Sequence, residues 1–232
     1  MRFIIAIVAA CVFVTLFARS IKAVPWFWYG IALLFDFVYL YGIVNNLPPV
    51  FLEVLSVLVQ RGTFATALFA IVMYIGVFPE QSWVHKTLGG IRGELSIIAG
   101  ILILAHCLNY LSSYLGVLMR HIGAINGNQL ASLAIAILLL FLVLLLCVTS
   151  FKAVKNRMKY STWKNIQRSS YVFFALIYGH QLLILYPSAL KGSGDAFLTC
   201  VASGIVFLAY FIVRFTVYLR EGKKKEIQVE TR

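Results

Sequence analysis

Residues 92–110 read RGELSIIAGILILAHCLNY. From Leu95 onward the run is apolar enough to enter a bilayer as helix, yet it carries His106 in its middle, where a polar ring needs a partner. The rest of the chain has the same character. Its 232 residues are 62% hydrophobic and 12% charged, with a mean hydropathy of +0.92. A soluble domain of that length needs a larger polar surface. The composition therefore predicts an all-α, polytopic membrane bundle.

Seven spans are expected, near 3–18, 24–45, 62–79, 94–118, 129–150, 169–187 and 195–219. Pro25, Pro48, Pro49, Pro79 and Pro187 fall near their ends, where a residue without an N–H disturbs a helix least. The stretch PPVFLEVLSVLVQRG (48–62) is too short to span and is expected as an interfacial helix. The first span shares features with a signal peptide. However, Arg19 and Lys22 follow its apolar run while Arg2 alone precedes it, which favours a retained helix with its N-terminus outside.

The net charge of +12 is unevenly placed. SFKAVKNRMKYSTWKNIQR (150–168) and the tail REGKKKEIQVETR (220–232) hold much of it, and the positive-inside rule puts both in the cytoplasm. Topology explains this basic charge, so no nucleic-acid partner is expected; the surroundings are lipid, in a plasma or bacterial inner membrane. Cys11, Cys107, Cys147 and Cys200 fall in spans and form no CxxC pair, which argues against a zinc site or a covalently attached c-type haem.

His106 and His180 both lie inside spans, whereas His85 and His121 lie near span ends. Spans four and six run in the same direction. His106 is 14 residues beyond Arg92, about 21 Å at helical rise, and His180 is 12 residues beyond Arg168, about 18 Å. The two imidazoles are thus expected at nearly one depth. Taken alone, each histidine reads equally well as hydrogen-bonding glue between helices. Matched depth favours a shared metal or haem, with His106 and His180 as axial iron ligands. Gly100 and Gly179 would leave room for the macrocycle.

Three stretches, RGTFATALFAIVMYIGVFP (61–79), RGELSIIAGILILAHCLNY (92–110) and WKNIQRSSYVFFALIYGH (163–180), resemble the ferric reductase-like transmembrane family, most of all its MsrQ-type haem-binding membrane subunits. Trp163, Tyr171 and His180 keep the family spacing, and His106 with Tyr110 matches its His-x3-Tyr. The resemblance covers 61–219, leaving 1–60 as an N-terminal two-helix segment and 220–232 as a basic tail. It implies b-type haem on His106 and His180, beside Tyr110, and one-electron transfer across the membrane. Many members hold an inner haem on a second histidine pair; here Arg92 and Gln167 occupy those positions, so one haem is expected and a second lacks its ligands.

The expected function is a membrane cytochrome relaying electrons from a cytoplasmic-side or quinol donor to an external acceptor, within a reductase system. A quinone, or a flavin met by Arg92, Arg168 and Lys164, would shorten the electron's path; individually those cations read first as positive-inside anchors. No GxGxxG or phosphate loop occurs, and the tail is too short for a flavin or nicotinamide domain. Separate donor and acceptor proteins are expected, and whether the chain is itself an enzyme stays open. Asp36, in IALLFDFVYLYGI (31–43), supports an alternative: a proton- or metal-coupled transporter using Asp36, His106 and His180.

Overall fold

The computed structural model describes residues 2–45, 48–50, 55–120 and 126–230. All regular structure among them is helical: α1 (Arg2–Ala23), α2 (Pro25–Asn45), a π-helical turn (Ser56–Gln60), α3 (Thr63–Ile75), α4 (Trp83–Leu88), α5 (Arg92–Leu102), α6 (Leu104–Arg120), α7 (Gly127–Ser150), α8 (Lys152–Lys155), α9 (Tyr160–Leu190) and α10 (Gly194–Glu230). In hydrocarbon every backbone N–H and C=O must be satisfied within the chain, and the helix does this locally.

Five stretches are long and apolar enough to cross a membrane: Phe3–Ala23, Trp83–Val117, Gly127–Ser150, Tyr160–Leu190 and Gly194–Arg220. The chain is accordingly an integral membrane protein by composition and form. Seven spans were expected, and the two others, at 24–45 and 62–79, fall on α2 and α3. α2 is 21 residues long and apolar on both sides of Asp36. α3 is apolar but only 13 residues long, about 20 Å, against a hydrocarbon thickness of about 30 Å. α9 begins well before residue 169 because WKNIQR, though polar, contains no helix breaker.

The short α3 is deeply buried, with eight buried residues from Ala65 to Ile75, as many as α5 carries. It packs against α1 and α5, and α9 packs between α7 and α10. Small side chains set these approaches. Ala6, Ala10, Val14 and Ala18 recur every fourth residue on one face of α1 and are all buried. Without a hydrophobic force between helices in lipid, such a stripe lets backbones come close enough for dispersion to hold them.

Where the sequence led us to expect an interfacial helix, residues 55–60 turn into the bundle, with Leu55 and Val59 buried in one cluster with Tyr39 and Ala105. Residues 51–54 of that stretch, and His121, lie outside the described residues.

One charged pair is built into the bundle. Glu94, buried in the first turn of α5, lies 3.1 Å from Lys152 Nζ at the start of α8. Removing the lysine strands a buried carboxylate, whereas removing the acid frees an exposed ammonium. Lys152→Met should therefore lower stability by about 1–3 kcal/mol and Glu94→Gln by less; thermal denaturation in detergent reads the ordering.

Candidate functional site

The π-turn is where the site begins. Its final hydrogen bonds run from Arg61 N–H to Ser56 O and from Gly62 N–H to Val59 O. The Gln60 carbonyl is thereby left without an intrahelical donor, as at any helix C-terminus. His106 Nδ1 lies 2.6 Å from it. A carbonyl oxygen only accepts, so the imidazole must carry its proton on Nδ1, and the Nε2 lone pair stays uncommitted.

Gly62 makes this approach possible. Its φ of +62° is left-handed, and a β-carbon there would meet Ile103 Cδ1 at 2.6 Å and the His106 ring at 3.5 Å. Ile103 itself interrupts the long helix between α5 and α6, three residues before His106.

His180, on α9, is held from α7. Its Nδ1 is 2.9 Å from Ser132 Oγ and 3.1 Å from Ser132 O. With the proton on Nδ1 both oxygens accept, and Nε2 is again the open nitrogen. Among the described residues neither Nε2 has a hydrogen-bond partner, and the two rings are close enough to interact electrostatically. Two imidazoles anchored through Nδ1 suit a haem, whose macrocycle supplies the remaining ligands. No group of three or more His, Cys, Asp or Glu side chains suited to a bare metal ion occurs among the described residues.

The other expected site residues divide. Beside Gly179 the space is open, with nothing within 4 Å of where its β-carbon would stand. Gly100 does not leave room for a ring: its β-carbon would meet Cys147 Sγ at 3.0 Å, so this glycine serves close packing of α5 on α7. Tyr110 packs against His106 with ring centroids 4.8 Å apart and planes tilted by 52°. Tyr178 stacks on Phe207, and Gln181 donates to Ser203 Oγ, which ties α9 to α10 beside His180. Arg168 is exposed, bonds to Asn165, and does not line the cavity that Arg92 and Gln167 share.

Arg92 and Gln167 do converge. Both line a cavity of about 320 Å³ at the basic end of the bundle, together with Trp163 and Lys155. A larger cavity of about 400 Å³, between α1 and α3, is lined by apolar side chains and touches neither histidine of the pair. Asp36 is buried with Oδ1 unpartnered, against Ala105 and Cys107, the residues flanking His106. Tyr39 does not pair with it and instead accepts from Asn109.

Sequence reading missed both histidine partners. The Gln60 contact runs through a backbone carbonyl, which any residue would supply. Ser132, the polar break in LASLAIAILLL, was the one available signal.

No family model matches the chain, and no solved structure matches it. It is similar to an uncharacterized protein of Treponema pallidum, 36% identical over 163 residues, which are 70% of this chain and 44% of that protein. The chain thus spans less than half the length of that relative.

Gly62→Ala should cost about 1–2 kcal/mol from the left-handed backbone alone. Adding Ile103→Ala relieves the clash without restoring stability fully. Melting curves of the single and double variants separate the two contributions.

Proposed function

We propose that the chain is a b-type haem membrane cytochrome of the ferric reductase-like kind, with His106 and His180 as axial ligands. One observation carries the reading: two intramembrane imidazoles within electrostatic range, each anchored at Nδ1 with Nε2 uncommitted. A histidine serving only as glue has no need to hold back its second nitrogen, whereas a ligating histidine characteristically donates its other N–H to an acceptor that orients the ring.

Bound haem would supply reversible one-electron chemistry. The Gln60 carbonyl holds the His106 ring and raises its basicity, and Ser132 does the same for His180. Open space beside Gly179 supports room next to the second ring. In this reading α2 and α3 complete a seven-helix bundle, the N-terminus is outside and the basic end is cytoplasmic. Electrons reach the haem from a quinol or a cytoplasmic-side donor and leave to an external acceptor, with no second haem. The resemblance to MsrQ-type subunits supports this direction.

A second reading has one specific observation behind it. The unpartnered Asp36 oxygen, set against the neighbours of His106, is what a proton- or metal-coupled transporter would use.

Colour separates the two. Purified wild type should give a b-type reduced-minus-oxidised spectrum with about one haem per chain, lost in His106→Ala and in His180→Ala. Ser132→Ala should keep its haem with a shifted midpoint potential, readable by redox titration. A colourless wild type from haem-replete cells would sink the cytochrome and direct attention to Asp36.

A further inference from the structure

The cavity at the basic end is amphipathic along one axis. On α9, Trp163, Gln167, Ser170 and Phe173 follow one another along a single face and pass from polar to apolar toward the middle of the bundle. α7 repeats the gradient, with Leu146 one turn deeper than Ser150. Phe69 and Val72 of the buried α3 close the deep end.

The charges at its mouth do not balance. Glu94, the one acid in the lining, is taken by Lys152 at 3.1 Å. Lys155 lies 4.4 Å over the Trp163 ring, and this cation–π contact leaves its charge uncompensated by any anion. Arg92 makes no ion pair among the described residues. Its guanidinium folds over Gly76, where a β-carbon would stand 2.9 Å from a terminal nitrogen, and it lies within electrostatic range of Arg214, a second cation. Holding these like charges together costs free energy that an anion would offset. The planar fork of an arginine matches a phosphate group.

We propose that this cavity binds the phosphodiester headgroup of an anionic phospholipid, with the phosphate between Arg92 and Lys155 and the start of an acyl chain against Phe173, Leu146 and Phe69. A lipid presents its anion at the interface and its apolar part toward the bilayer centre, the same gradient the lining follows. Basic pockets between transmembrane helices are a recurrent home for such headgroups. The site is independent of the haem reading, since neither histidine of the pair lines it.

The test uses the full chain in a neutral detergent, with thermal stability followed as phosphatidylglycerol, phosphatidylcholine or inorganic phosphate is added. Phosphatidylglycerol should stabilise well below the phosphatidylcholine concentration that does so, and Arg92→Gln and Lys155→Gln should each weaken its apparent affinity about tenfold. Lys164→Gln, which removes the same charge at an exposed position over Tyr160, should change it less than about twofold. Circular dichroism checks that each variant is folded, and Lys155→Gln carries the test alone should Arg92→Gln unfold. Equal response to both lipids, equal weakening by Lys164→Gln, or full reproduction of the effect by inorganic phosphate would each overturn the proposal.

Discussion

The hydrogen bond from His106 to the Gln60 carbonyl is the contact on which the site's architecture depends. A carbonyl freed at the end of a helix cannot stay bare inside a membrane bundle, because no water is there to meet it. The π-turn frees that carbonyl, Gly62 turns the backbone away in a left-handed conformation, and α3 starts directly afterwards. The imidazole that satisfies the oxygen is thereby fixed in tautomer and orientation. Structural need and candidate chemistry are met by the same proton.

The second histidine is supported differently. Ser132 lies within reach through both its hydroxyl and its carbonyl, and Gln181 with Tyr178 locks α9 against α10 on either side of His180. One ring is thus held from the π-turn and the other from a neighbouring helix. A site assembled from separate elements keeps its geometry only if the helices cannot slide. The alanine stripe of α1 and the Gly100–Cys147 contact provide that constraint, since close-packed small residues have no slack to give.

The two ends of the bundle divide the polar work. Along α9, Gln167 belongs to a cavity rimmed by cations and His180 to the histidine pair, 13 residues or about 20 Å apart. Glu94 and Lys152 show how the basic end tolerates a buried acid, by pairing it at once. Asp36 has no such partner for Oδ1, and the Ala105 backbone compensates the burial of its carboxyl only in part.

Much was legible in the sequence, and the reason is that lipid enforces it. Apolar runs of span length must be helices, Pro25 opens one of them while α9 carries Pro187 inside it, and a histidine inside such a run stands out because burying it costs free energy. His106, His180 and Asp36 were found on that ground alone. What the sequence could not carry was anything transmitted through backbone or through space. The Gln60 contact depends on a carbonyl common to every residue, and the inward course of 55–60 on burial of Leu55 and Val59 against Tyr39 and Ala105. Gly100 shows the same limit from the other side. Its small size was plain, but only the tertiary structure decided that Cys147 fills the space, because whether a missing side chain admits a ligand or a neighbouring helix is settled by which helices come to lie together.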